Sequence, residues 1–115
     1  MFDRRGHKPE LVIIDQDHVQ GAAAAPVTLV EYADFECPYS REAVKTVQAL
    51  QREFGDDLRF VFRHFPLAEK HSHAIQAAEA AEAAAAQGEF WSMSGMLFAH
   101  QRDLEYSDLM DYAGR

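Results

Sequence analysis

The residues able to do chemistry cluster in the tetrad Cys37-Pro38-Tyr39-Ser40. Cys37 is the chain's one cysteine, and it stands where the apolar run 27–33 hands over to an amphipathic stretch. A sulfur at a strand-to-helix junction faces free backbone N–H groups and the positive end of the helix dipole, and both favour thiolate over thiol. Pro38 suits the first helical position, where its missing N–H costs nothing. This is the layout of a nucleophile. Glu36 works against it, because a neighbouring negative charge disfavours the thiolate. Three residues after Cys37, where a second sulfur would stand, the chain has Ser40, so no disulfide can form within it. The Ser40 hydroxyl is expected either to donate toward the Cys37 sulfur or to face solvent in the first helical turn. Glu31 is the second candidate. It shares a strand face with Val27 and Leu29, so its carboxyl is expected to be desolvated with a raised pKa. The plainer alternative is a strand-end glutamate that reaches water.

These groups depend on the elements around them. Residues 1–10 read as a polar flexible arm, and 11–15 (LVIID) as a short β-branched strand. The near-continuous apolar run 27–33 predicts a strand covered on both faces. From 38 to 54, Ala43, Val47, Leu50 and Phe54 recur at helical spacing, with Gly55 as the stop. Residues 58–65 predict the next strand, ended by Pro66. Strand–helix–strand in this order implies a parallel, right-handed βαβ unit. An alanine-rich helix follows over 73–87, ending at Gly88. A second over 89–101 carries the stripe Phe90, Trp91, Ser94, Leu97 and Phe98. Ser107 is the expected N-cap of a third. With no linker to divide it, the chain reads as one domain, 1–115.

Composition narrows the function classes. Of the 48% apolar residues, 19 are alanine, so eight Phe, four Tyr and one Trp supply much of the packing area. A net charge of −8 argues against nucleic acid or an anionic membrane as partner. No apolar run approaches the ~20 residues of a membrane span, and the first ten residues lack the apolar core of a signal peptide behind them. As given, the sequence reads as cytoplasmic, or as extracytoplasmic if a leader was removed. His64, His71 and His73 lie close to one another in sequence, but H-x6-H-x-H is not a zinc-ligand frame, so loop and cap roles are expected and no metal. Trp91, Met93 and Met96 read as helix packing, and Glu79, Glu82 and Glu89 as a solvated helix face.

Taken together, these segments resemble the DsbA-like branch of the thioredoxin superfamily. That family carries C-P-Y-C or C-P-H-C after a strand of the V-x-L-V-E-Y/F type, matched here by VTLVEY and by Cys37-Pro38-Tyr39-Ser40. RFVFRHFPL resembles its second strand and loop, and HSHAIQAAEAAEAAAAQGEFWSMSGMLFAHQ its first inserted helices, so the likeness covers roughly 15–113. The resemblance implies an α/β thioredoxin-like fold: a βαβ unit plus the start of the helical insertion. The later helices, the cis-proline loop and the last strands are expected to be missing.

The resemblance also implies roles. Cys37 would be the nucleophile of a thiol–disulfide oxidoreductase and Glu31 its proton relay, with Pro38 and Tyr39 tuning the thiol or touching substrate. Ser40 in place of cysteine implies a monothiol route through a mixed disulfide with protein or glutathione. Glutathione would be a co-substrate, and no cofactor is implied. Two other readings stay open: a redox-inactive binding or assembly module, and a glutathione-transferase-like activity. With the later elements missing, the stripe around Trp91 is expected to be exposed and to drive a homodimer or a swapped oligomer.

Overall fold

The computed structural model describes residues 13–114. Three strands, β1 (His18–Gln20), β2 (Val27–Ala33) and β3 (Leu58–His64), form one sheet in the order β1-β3-β2. Four helices accompany them: α1 (Pro38–Phe54), α2 (Ala74–Ala85), α3 (Phe90–Ala99) and α4 (Tyr106–Ala113). β2 and β3 run parallel in unbroken register from Val27↔Leu58 to Ala33↔His64, which puts Glu31 opposite Phe62. The βαβ order read from the sequence is therefore the order observed. α1 spans 38–54 as its spacing predicts, and Gly55 ends it with φ 51°, a left-handed value that favours glycine. β3 stops one residue short of the expected 65, although the Phe65 N–H still donates to the Ala33 carbonyl at 2.8 Å.

The first strand differs from expectation. Residues 1–10 of the expected arm and 11–12 of the expected strand 11–15 lie outside the described residues, and 13–15 are not strand. The strand forms instead at His18–Gln20, antiparallel to β3, with His18 opposite Phe62. Gly21 turns the chain out of it at φ 100°, where a Cβ would meet the Leu58 carbonyl oxygen at 2.5 Å. Only glycine fits so close to a neighbouring strand.

The core lies on one face of the sheet. Phe60 and Phe62 pack against Val47 of α1 and against Phe90, Leu97 and Phe98 of α3, all buried. α2 adds Ala77 and Ala81, fully buried, whose small side chains let a helix approach closely. The opposite face carries Thr28, Tyr32, Arg59 and Arg63. Arg59 donates to Thr28 Oγ1 at 2.9 and 3.1 Å, and Arg63 to both Asp17 oxygens at 2.8 Å. β2 is thus half-buried, with Val27 and Tyr32 more than half exposed, and not covered on both faces as its apolar run suggested.

Two further expectations are corrected. The N-cap of α4 is Glu105, which forms a reciprocal capping box with Asp108, and Ser107 lies inside the helix. The α3 stripe is covered within the chain: Phe90, Ser94, Leu97 and Phe98 are buried and Trp91 is partly so.

Candidate functional site

Cys37 is the N-cap of α1, in extended backbone at φ −80° and ψ 121°, and its side chain makes no capping bond. Pro38 follows at the first helical position. The first intrahelical bond comes from the Arg41 N–H to the Cys37 carbonyl at 3.2 Å, so the N–H groups of Tyr39 and Ser40 precede the helical ladder. The sulfur therefore stands at the positive end of a 17-residue helix, half-buried, with Tyr39 beside it 85% exposed.

The turn that holds Cys37 is fixed by a residue the sequence reading overlooked. Asp34 is 3% exposed and its carboxylate accepts three hydrogen bonds. They come from the Glu36 N–H at 2.8 Å, the Leu67 N–H at 2.8 Å and His71 Nδ1 at 2.7 Å. Its backbone takes part too, since the Asp34 carbonyl accepts from the Cys37 N–H at 3.0 Å. Ser40 completes this knot. Its Oγ accepts from the Asp34 N–H at 3.1 Å, so the hydroxyl oxygen is engaged by the turn and not simply solvated as a first-turn serine. The aspartate-to-(i+2) bond within the turn is a local pattern the sequence did carry.

Three other contacts lock the same segment. Phe35, 1% exposed, wedges its ring against Phe98 at 4.9 Å and Phe62 at 5.5 Å. Glu36 accepts a short hydrogen bond from the His73 N–H, so its charge faces the start of α2. The Gln101 amide donates to the Phe35 carbonyl at 2.8 Å and to the Cys37 carbonyl at 2.9 Å. No sequence signal marks Gln101; only the folded chain brings it 64 residues back to the cysteine.

Glu31 lies on β2, on the face shared with Ala33. Both carboxylate oxygens are buried and have no hydrogen-bond partner among the described residues. Burial pushes its pKa up to about 7 from the usual 4.5, in the direction the strand pattern predicts.

The three histidines considered together in the sequence part company. His71 binds Asp34, and His73 is the N-cap of α2, as loop and cap roles require. His64 lies 3.7 Å from Glu82 instead, and burial lowers its pKa. Glu82 is not merely a solvated helix residue, because it also accepts from or donates to His18 Nε2 at 2.7 Å, according to their protonation.

Known proteins give this geometry its relatives. The family model described as thioredoxin matches residues 14–114. Over 99 residues the chain is 54% identical to a Na(+)/H(+) antiporter NhaA 1 of Mycolicibacterium vanbaalenii, covering 86% of this chain. It spans only 16% of the length of that antiporter. BdbD from Bacillus subtilis, in its oxidised crystal structure, superposes with a TM-score of 0.72 at 28% identity, over 84% of this chain and 56% of BdbD. DsbA2 of Pseudomonas aeruginosa shares the fold at a TM-score of 0.69 and 24% identity, over 90% of this chain and 66% of DsbA2.

Proposed function

The chain belongs to the thioredoxin family, in its DsbA-like branch, and from that premise we propose that it carries out thiol–disulfide exchange through Cys37. The observation that carries this reading is the position of Cys37 as an uncapped helix N-cap, followed by Pro38, in a turn fixed on both sides. An unpaired sulfur at a helix N-terminus has the electropositive, accessible surroundings of a reactive thiolate. Pro38 and the exposed ring of Tyr39 flank it on the side open to substrate.

The route is monothiol. The Cys37 thiolate attacks one sulfur of a disulfide, forms a new S–S bond and releases the other sulfur as a thiolate. A second thiol, glutathione or a protein cysteine, then attacks the mixed disulfide and restores Cys37. Ser40 supplies no resolving sulfur. Glu31, whose pKa burial raises to about 7, gives or takes the proton that accompanies each thiol–thiolate change. This scheme uses no metal and no organic cofactor.

The test is alkylation by iodoacetamide at pH 7, with Cys37→Ser as blank. We expect a rate at least about tenfold above that of a free cysteine in a peptide. A rate equal to that of the peptide would remove the reading.

A second reading rests on the antiporter match. A segment half identical to part of a Na(+)/H(+) antiporter also suits a thioredoxin-like module that binds or assembles without redox turnover, next to a transport protein. No described helix is long and apolar enough to cross a membrane, so on this reading any membrane span lies outside the described residues. Self-association, with the α3 stripe largely buried, would use the edge that β2 leaves unpaired among the described residues. Sedimentation equilibrium at micromolar concentration separates a dimer from a monomer.

A further inference from the structure

We propose that His18, His64 and Glu82 form a binding site for a divalent transition metal of the zinc class, joining β1, β3 and α2. The ligating atoms of all three lie within 4.8 Å of one another. His18 Nε2 is 2.7 Å from Glu82 Oε2, and His64 Nε2 is 3.7 Å from the same oxygen. Tetrahedral zinc with bonds of about 2.0–2.1 Å needs its ligand atoms roughly 3.3 Å apart. The two observed separations straddle that value, while the two imidazole nitrogens lie within 4.8 Å of each other, so seating the ion also needs the rings to close by up to about 1.5 Å.

The surroundings suit a metal better than a simple ion pair. Both ring nitrogens of His64 are buried and have no hydrogen-bond partner among the described residues. A buried polar group left in that state calls for a partner, and an ion supplies one. Aromatic packing already fixes both rings. His18 stacks on Phe90 with centroids 3.5 Å apart and planes 5° from parallel, and His64 meets Phe62 edge-on at 5.5 Å. Such an apolar shell around ligands restricts solvent and steadies the coordination.

Two imidazoles and one carboxylate leave a fourth position open. A cleft of about 440 Å³ reaches all three residues and is also lined by Asp17 and Arg63, so water or a small ligand has access to that position. Nitrogen and oxygen donors in this number favour zinc, cobalt, nickel or copper over calcium or magnesium.

The test uses the 115-residue chain, stripped with chelator and titrated with zinc chloride by calorimetry, and with cobalt(II) by visible absorption. We expect one equivalent to bind, with tetrahedral-intensity cobalt bands and a melting temperature raised by about 2–8 °C under saturating zinc. His64→Asn and the exposed Glu82→Gln should each weaken binding tenfold or more, and Cys37→Ser should leave it unchanged. Circular dichroism establishes that each variant is folded. No saturable binding would overturn the proposal. So would binding that survives both ligand substitutions, or binding that is lost in Cys37→Ser.

Discussion

Asp34 and Glu31 are carboxylates three residues apart on one segment, and the fold treats them in opposite ways. Asp34 is buried and accepts three hydrogen bonds, one of them from a histidine. Glu31 is buried at both oxygens and accepts none among the described residues. The first arrangement is what a structural carboxylate needs, since a desolvated charge is tolerated only when fully paired. The second leaves a group whose proton is loosely decided near neutrality, which suits proton transfer. Asp34 holds the turn around the cysteine in place; Glu31 is the residue proposed to exchange protons with it. Burial alone does not separate these roles, but the count of partners does.

The largest expected effect falls on Asp34. Asp34→Ala removes three acceptor contacts at once and takes the acceptor from the part-buried Glu36 and Leu67 N–H groups and from His71, so unfolding in urea should show a loss of about 3–5 kcal/mol. A loss below about 1 kcal/mol would erase the contrast with Glu31.

Glu31 should respond in the other direction. The folded chain holds the Glu31 proton up to about pH 7, whereas the unfolded chain releases it near 4.5. Between these values the folded state binds more protons, so stability falls as pH rises. Glu31→Gln removes this dependence. The variant should match the wild type near pH 4.5 and exceed it by roughly 1–2 kcal/mol at pH 8, a figure discounted because the residue as a whole is half-buried. Urea titrations of both proteins at the two pH values check the sign.

Ser40 sharpens the picture of the turn at a smaller scale. Ser40→Ala leaves the Asp34 N–H without its acceptor and should cost about 0.5–1.5 kcal/mol. Ser40→Cys should cost a similar amount while providing a resolving sulfur, so that catalysed insulin reduction becomes faster than in the wild type. Equal turnover in the two proteins would contradict the monothiol route.

What the sequence revealed follows the same division between local and distant causes. β2, α1 and the cysteine at their junction were legible because strand and helix periodicity, Pro38 and Gly55 act within a few residues. The raised pKa of Glu31 was legible because strand alternation alone gives its face. β1 was misplaced because His18–Gln20 has little apolar character and becomes a strand through its pairing with β3. Ser107 looked like a cap, but α4 starts two residues earlier than that cap implies, on the reciprocal bonds of Glu105 and Asp108. Asp34 went unmarked because two of its partners, Leu67 and His71, lie more than 30 residues away. His18 and Glu82 meet across 64 residues, a distance no local pattern spans. The α3 stripe was read correctly as apolar, and only the folded chain shows Phe62 covering it.

The proposed proton exchange between Glu31 and Cys37 is addressed directly by one experiment. The rate at which the protein forms a mixed disulfide with oxidised glutathione is measured by intact mass from pH 5 to 9, for wild type and Glu31→Gln. We expect the wild type to accumulate one glutathione adduct on Cys37, with an inflection in the rate near pH 7 that Glu31→Gln removes. Absence of an adduct, or superimposable pH profiles for the two proteins, would contradict the account.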